Sequence, residues 1–339
     1  MRRIIKVKYH LLVLIIEITI LLLALLLAYN FISMPSKKTT FYLKDNTVPT
    51  LLNTLDKQGY PTYAIDKYVL KYMTLPKKGW YSLKGEKEGR FQFFKSLYTK
   101  KAKTMHIKIY AGETAVELTQ RLANDMKLNA QKLLKAYEAQ SIYKEADIFS
   151  GQYTLARDAD ANTSIDSLFE QSHNVLDRFI KKNYHKKPKL LEIKILLIIA
   201  SIIQKESNSI EEMPLISSVI YNRINKNMKL QMDGTLNYGK YAHTIVTSER
   251  IKTDESEYNT YKHKGIPPAP LGTVSIEALE AAYHPAVSHY LFFMLRKDGS
   301  HQFAQTYEEH LKNIRAFKSK SNDNNQSKLK QIKKSKVSS

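Results

Sequence analysis

A single carboxylate at the end of an apolar helix is the residue of this chain best placed to do chemistry. The run Leu190–Glu206 reads LLEIKILLIIASIIQKE and is apolar on nearly every face until its last three residues. Its apolar part is too short to span a bilayer, so the pattern predicts a core helix. Glu206 continues the apolar stripe of Ile199, Ile202 and Ile203 at helical spacing.

A carboxyl group held against apolar neighbours loses hydration, which favours its neutral form. Enzymes keep an acid protonated near neutral pH in this way, so the pattern predicts that Glu206 is a catalytic acid. The alternative is structural, with Glu206 closing the buried helix as a carboxylate paired with Lys205 or Arg223. The pattern alone leaves both interpretations open.

The charge balance points to an anionic partner or surface, because the formal net charge is +21. Residues 11–32 are apolar with Glu17 as their one charge, and twenty-two residues suffice for a transmembrane helix. Residues 1–10 form a basic stub, which the positive-inside rule places in the cytoplasm. Everything after about Ser33 is then extracytoplasmic, at the inner (cytoplasmic) membrane. A cleaved signal peptide is the alternative.

The residue types exclude several chemistries. The chain has no cysteine, so disulfides, thiol catalysis and a lipid anchor through cysteine are excluded. Its ten histidines show no H-E-x-x-H spacing, so we expect neither a metal nor a cofactor. An exported chain does not meet DNA, so nucleic acid is not an expected partner.

The pattern predicts an α+β protein with small modules between the membrane helix and a mixed α+β catalytic domain at 188–318. Residues 39–100 and 101–175 look like diverged copies of one β-α-α-β module, closing with G-W-Y-S-L and G-Q-Y-T-L. In the second copy, Thr114 and Glu117 have the spacing of a capping box. Residues 319–339 are polar and rich in Lys, Asn and Ser, which predicts a disordered tail.

The second copy resembles a LysM module in its strand, Gly-Glu-Thr turn and two helices. LysM modules bind glycans that contain N-acetylglucosamine, so the resemblance implies a contact with peptidoglycan. The alternative is a spacer that places the catalytic domain above the membrane.

Three polar loops with several tyrosines follow the Glu206 helix. They contain L-Q-M-D-G-T-L-N-Y-G from Leu230, Y-N-T-Y from Tyr258 and G-I-P-P-A-P from Gly265. Tyrosine rings stack on the apolar faces of sugars, and neighbouring amides and carboxylates bind the hydroxyls. The density of such residues in one domain predicts a sugar-binding site.

Six short blocks in one order resemble the YceG-like endolytic murein transglycosylase family. They are A-S-I-I-Q-K-E-S from Ala200, V-I-Y-N-R-I from Val219, M-K-L-Q-M-D-G-T-L-N-Y-G from Met228, Y-N-T-Y, G-I-P-P-A-P, and A-A-Y-H-P from Ala281. The N-terminal anchor and the LysM-like module agree with the same family. The resemblance covers most of residues 1–318.

The resemblance implies that Glu206 is the catalytic acid and base, and it supplies a set of glycan-groove residues. These are Gln231, Asp233, Tyr258, Asn259 and Tyr261, to which we add Thr235, Tyr238 and His284 as predicted substrate-binding residues. The family commonly has Glu-Lys-Glu-Thr where this chain has Gln204 to Ser207, and Asp-Pro-Thr where it has Asp233 to Thr235. The glycine in the second motif predicts a looser loop around Asp233.

The implied reaction is cleavage of the bond between N-acetylmuramic acid and N-acetylglucosamine, leaving 1,6-anhydro ends and trimming or terminating nascent strands. Peptidoglycan strands are the expected partner, and cell-wall synthases in the membrane are candidate partners. One alternative is a non-catalytic peptidoglycan-binding or scaffold protein, in which Glu206 is dispensable. Another is a hydrolytic muramidase, in which Asp233 is a second carboxylate that holds a water.

Overall fold

A computed structural model describes residues 2–207 and 209–318 of the protein. The fold is mixed α+β, as predicted, and its described strands form two-stranded sheets. The described residues divide into two compact units. The first comprises the chain up to Ile107 together with Thr154–Ser167, and the second comprises Lys108–Tyr153 and the chain from Leu168 onward. The predicted tail at 319–339 lies outside the described residues.

The chain begins with a long apolar helix, α1, which spans Arg2–Phe31. Its portion Lys8–Phe31 is long and apolar enough to cross a membrane. The helix starts inside the predicted basic stub and ends one residue before the predicted limit of the span. No helix-breaking proline precedes Pro35, so nothing in the sequence ends the helix at residue 10.

The first unit continues with two strands and three helices after α1. They are β1 (Lys38–Leu43), α2 (Val48–Lys57), α3 (Ala64–Leu70), β2 (Gly79–Lys84) and α4 (Arg90–Leu97). Strands β1 and β2 pair antiparallel, with Phe41 opposite Tyr81. Their inner faces and the helices share a core that includes Leu55, Phe93 and Phe94.

A buried charged group ties the end of α1 to α3 and α4. The side chains of Asp66 and Arg90 are both fully buried and form a salt bridge. The Tyr29 hydroxyl, near the end of α1, donates to Asp66 Oδ1 at 2.7 Å. Removing one partner would leave a buried charge uncompensated, so this contact fixes the helix end to the first unit.

Strands β3 (Thr104–Ile109) and β4 (Gly151–Ala156) pair with each other. The helices between and after them are α5 (Ala115–Met126), α6 (Ala130–Gln140) and α7 (Ala161–Asn183). The remaining elements are α8 (Leu190–Glu206), α9 (Met213–Asn225), α10 (Asp233–Leu236), a 3₁₀ turn (Gly239–Tyr241), α11 (Ser248–Thr253), α12 (Ile276–Tyr283), β5 (Phe292–Leu295) and β6 (His301–Ala304). Residues 307–318 are helical.

Helix α8 is central to the core of the second unit and packs against α9 and α12. Residues Leu196 to Ile203 are buried, which confirms the prediction of a core helix for its C-terminal half. Leu190 and Leu191 in its first turn are exposed instead. The helix therefore enters the core from the surface and carries Glu206 to its inner end.

The turn before α5 packs on the loop before α12. The Gly112 amide donates to Thr273 O at 2.8 Å, and the Thr273 amide donates to Glu113 O at 2.7 Å. The predicted capping box of Thr114 and Glu117 is present at the start of α5. Helices α5 and α6 therefore belong to the same compact unit as α8 rather than to a separate module.

We predict that Gly272→Ala destabilises the second unit. Gly272 has φ +154°, and a Cβ there would lie 2.7 Å from Glu113 O and 2.8 Å from Gly112 O. Strain and overpacking together should lower the free energy of unfolding by roughly 2–3 kcal/mol. Urea unfolding of the full chain in detergent measures this loss.

The matched control is Gly265→Ala, since Gly265 also has a positive φ but a Cβ there meets nothing within 4 Å. It should lose roughly 1 kcal/mol, from backbone strain alone. Equal losses in the two variants would show that the two loops do not pack closely.

Candidate active site

Glu206 is the last residue of α8, and its carboxyl group lies against the short helix α10. Its Oε1 accepts a hydrogen bond from the Gly234 amide at 2.9 Å. Ile199, Ile202 and Ile203, which precede it on the helix, are all buried. The Glu206 side chain is itself only partly buried, so a ligand can reach it.

The surroundings of Glu206 favour its neutral form. Burial and, to a smaller extent, the negative charge of Asp233 raise the pKa of this carboxyl from 4.5 to about 7, and the Gly234 hydrogen bond opposes the rise. A pKa near 7 keeps a large fraction of the group protonated at neutral pH, whereas an ordinary glutamate is ionised there. Glu206 can therefore both donate and accept a proton.

The interpretation of Glu206 as an ion-pair partner finds no support in the contacts of the two candidate cations. Lys205 Nζ donates to Gly112 O at 2.8 Å. Arg223 donates from Nε to Leu291 O at 2.6 Å and from Nη1 to Leu230 O at 2.7 Å. Over residues 2–207 and 209–318, no salt bridge joins either cation to Glu206.

Gly234 allows the close approach of α10 to α8. A Cβ at Gly234 would lie 2.7 Å from Lys205 Cβ and 2.8 Å from Glu206 Oε1. A proline at this position would have no amide hydrogen to donate. The glycine does not leave Asp233 loose, because Asp233–Leu236 form a helical turn.

Asp233 and Tyr261 lie beside Glu206. The Tyr261 hydroxyl donates to Asp233 Oδ1 at 2.6 Å. Burial, together with the hydrogen bond and charge of Asp233, raises the pKa of Tyr261, and the charge of Glu206 adds to this effect. Glu206, Asp233, Gly234 and Tyr261 thus form one polar group, which we call the Glu206 cluster.

Gln231 lies two residues before Asp233 in the chain and contacts the residue before Tyr261. Its backbone has φ +50°, and its amide donates to Thr260 O at 3.1 Å. Its side-chain Oε1 accepts from Arg223 Nη1 at 3.3 Å, while the residue as a whole is exposed. Gln231 is therefore accessible to a ligand, and its place in a glycan groove stays a prediction.

Thr235 and Asn259 differ from the prediction, because both side chains are fully buried. The Thr235 hydroxyl donates to Met232 O at 2.7 Å. The Asn259 amide donates to Ile251 O at 2.9 Å and to Asp254 O at 2.7 Å. These residues hold the loops in shape instead of presenting polar groups to a ligand.

Tyr238 and Tyr258 lie together, with ring centroids 4.5 Å apart. The Tyr238 hydroxyl donates to Glu145 Oε1 at 3.2 Å. Glu145 is buried, and its Oε2 accepts from the Ala115 amide at 2.7 Å. Burial raises the pKa of Glu145 to about 7. This carboxyl therefore links the first turn of α5 to a tyrosine of the predicted sugar site.

Glu145 was not predicted from the sequence. The available signal was its position in a loop with the apolar residues Tyr143, Ile148 and Phe149, which are buried. An acidic side chain in such a loop needs a partner, and Tyr238 lies far away in the sequence.

His284 lies elsewhere, at the end of α12. Its side chain is exposed, and Nε2 is 2.9 Å from Asn183 Oδ1. Its contacts in the described part of the chain do not join it to the Glu206 cluster. Within that part there is also no group of three or more metal-ligating side chains.

Comparisons with known proteins show which family and which proteins this chain is similar to. The model of the YceG-like family matches residues 43–316. Two curated relatives, from Bacillus subtilis and Streptococcus pneumoniae, are each named endolytic murein transglycosylase and are 31% identical over 166 and 177 residues. These matches cover 48% and 50% of this chain, but only 46% and 31% of the relatives.

A solved structure agrees with the fold. The crystal structure of a YceG-like protein from Listeria monocytogenes is similar with a TM-score of 0.52 and 25% identity. The similarity covers 81% of this chain and 99% of that protein. Because the family model matches well over half of the residues, the chain belongs to the YceG-like family.

Proposed function

We propose that the protein is an endolytic murein transglycosylase that cleaves peptidoglycan strands with Glu206 as its catalytic acid and base. The observation that carries this proposal is a carboxyl group with a pKa of about 7 at the inner end of α8. It is held by Gly234 and lies beside the Asp233–Tyr261 pair. The names of the two curated relatives support the same activity.

The proposed reaction needs one carboxyl group and no added water. Protonated Glu206 donates its proton to the glycosidic oxygen between N-acetylmuramic acid and N-acetylglucosamine, and the bond from C1 to that oxygen breaks. The Glu206 carboxylate then removes the proton of the C6 hydroxyl of the same muramic acid. The C6 oxygen bonds to C1, which gives a 1,6-anhydro end and returns Glu206 to its acid form. The C6 hydroxyl belongs to the substrate and is already close to C1, so the reaction needs no nucleophile from the protein.

The surrounding residues suit the binding of a glycan. Asp233 is an exposed polar group that acts on the acid, and Gln231, two residues earlier, is exposed as well. The half-buried rings of Tyr238 and Tyr258 offer apolar surface for sugar faces. Glu145 positions Tyr238 by accepting the hydrogen bond of its hydroxyl.

We further propose that α1 anchors the protein in the cytoplasmic membrane, with the N-terminus inside and the two units outside. In this arrangement the LysM-like segment of α5 and α6 lies beside the catalytic loops and contacts the same strand. The enzyme then trims or terminates strands near the membrane, where cell-wall synthases deliver them.

A hydrolytic muramidase is the second candidate, because Asp233 is close enough to Glu206 to raise its pKa. In that reaction Asp233 would hold a water that attacks C1. The product would then contain one more water than the anhydro product, so its mass distinguishes the two reactions.

We predict that Glu206→Gln folds and loses activity by about 10³-fold or more, because one group serves both proton transfers. Asp233→Asn, the matched amide substitution, should cost less, since it removes only a positioning group. Mass spectrometry of digested peptidoglycan should find 1,6-anhydro ends with the unmodified protein. Reducing ends alone, or equal losses in two folded variants, would favour the hydrolase.

The pH dependence follows from the raised pKa of Glu206. Activity requires the protonated acid, so kcat/KM should fall about tenfold per pH unit above pH 7 and not below it, as Glu206 ionises. Steady-state rates on purified glycan strands across pH 4–9 measure this profile. A rate that is already falling between pH 4.5 and 5.5, as an ordinary glutamate ionises, would contradict the raised pKa of Glu206.

The pH dependence of the free energy of unfolding gives an independent check on the raised pKa of Glu206. Between pH 4.5 and about 7 the native state keeps a proton on Glu206 that the unfolded state releases, so stability falls as pH rises through this window. Glu206→Gln should reduce this fall by up to roughly 3 kcal/mol. An unchanged fall would mean that the native carboxyl has an ordinary pKa.

The proposed topology predicts that a protease outside spheroplasts degrades both units and spares an N-terminal stub. A tag before Met1 and one after Ser339 report the two sides of the membrane on immunoblots. Detergent-lysed spheroplasts give the control in which both tags are exposed. Survival of the C-terminal tag in intact spheroplasts would reverse the proposed orientation.

A further inference from the structure

A cavity of about 820 Å³ in the first unit is lined mainly by basic side chains. Six are basic and two are acidic. The basic residues are Lys38, Lys84, Lys100, Lys101, Lys103 and Arg157, and the acidic residues are Glu86 and Asp158. All eight belong to the first unit, and none belongs to the Glu206 cluster. The cavity therefore has no part in the proposed catalysis.

Two of the lysines face each other across the sheet. Lys38 on β1 is directly opposite Lys84 on β2 in the antiparallel register. Like charges at directly opposed positions destabilise a strand pair. A bound anion near both lysines would offset this repulsion.

The backbone of the basic segment 100–103 is held in place by three hydrogen bonds, two with β2 and one with Arg157. Ser82 N donates to Lys100 O at 2.9 Å, and Ala102 N donates to Trp80 O at 3.0 Å. Arg157 N donates to Lys103 O at 2.9 Å. The cationic side chains therefore extend from a fixed frame, which lowers the entropic cost of binding a ligand.

Most of these cations are uncompensated within the described part of the chain. Lys100 forms an ion pair with Glu88, with Nζ and Oε2 2.6 Å apart. Asp158 accepts a hydrogen bond from the Ser82 hydroxyl at 2.9 Å. The other basic side chains of the cavity have no salt bridge in that part. A strong positive potential remains, which attracts anions.

The cavity also lies close in the chain to the end of α1. Lys38 follows Phe31 by seven residues, which span at most ~25 Å when fully extended. The connection is held short, because the Met34 amide donates to Glu88 O at 3.1 Å and the Ser36 hydroxyl donates to Gly85 O. With α1 in a membrane, the cavity lies within reach of the headgroups of the outer leaflet.

We propose that this cavity binds the phosphate groups of anionic phospholipid headgroups. A phosphodiester fits the observations because it is compact, carries a full negative charge and can accept hydrogen bonds from several lysines at once. The inference rests on the proposed membrane anchoring but not on the proposed catalysis. Bound headgroups would hold the first unit against the membrane surface.

The test uses the full chain in nonionic detergent and short-chain phosphatidylglycerol as the probe, with binding measured by calorimetry. Short-chain phosphatidylcholine is the zwitterionic comparison, and inorganic phosphate is the free-anion comparison. Lys101→Glu combined with Lys103→Glu should weaken phosphatidylglycerol binding about tenfold or more. The double variant Lys101→Gln and Lys103→Gln, which removes the charges without reversing them, should weaken binding by less. It replaces the double glutamate variant if that variant does not fold.

The matched control reverses Lys77 and Lys78 to glutamate, because both are exposed in the same unit and do not line the cavity. This variant should bind like the unmodified chain. Equal weakening in the control would show that binding depends only on net charge, and it would overturn the proposed site. If inorganic phosphate bound as tightly as phosphatidylglycerol, the proposal that the bound phosphate belongs to a lipid would be overturned. Cleavage of peptidoglycan in detergent, measured in parallel, separates failure of this proposal from failure of the proposed catalysis.

Discussion

The contact between Glu206 and the Gly234 amide sets the geometry of the candidate site. It brings the end of α8, a core helix of the second unit, against a four-residue helical turn. The carboxyl group is thereby placed where burial and the charge of Asp233 raise its pKa to about 7. The hydrogen bond opposes this rise, so the pKa of Glu206 depends on how closely the Gly234 amide approaches its carboxyl group. A side chain at Gly234 would push the two elements apart.

A second set of contacts joins the segment of α5 and α6 to the same loops. Lys205, next to the acid, donates to Gly112, while Glu145 accepts from Tyr238 and from the start of α5. Burial lowers the pKa of Lys205 and raises the pKa of Glu145. These buried polar groups satisfy one another only when the two segments are docked. The segment of α5 and α6 therefore supports the site as well as lying beside it.

Local patterns predicted most of the elements and the position of Glu206 at the end of the core helix. The apolar stripe, the capping box of Thr114 and the bounds of α8 follow from residues close in sequence. Long-range partners were not predictable in this way. Glu145 meets Tyr238 across 93 positions, and no local pattern encodes that pairing. Asn259 was predicted to face a ligand through the family resemblance, and Thr235 was added to the same set, but the structure uses their polar atoms to close the loops.

The most direct test of this account is the protonation state of Glu206 itself. Carbon-13 NMR of the full chain with labelled glutamate carboxyl groups gives its titration curve, and Glu206→Gln identifies the resonance. The account predicts a midpoint near pH 7, because burial favours the neutral acid. A midpoint near the ordinary value of 4.5 would contradict it, since the carboxyl group would then be ionised at neutral pH and could not donate a proton to the glycosidic oxygen.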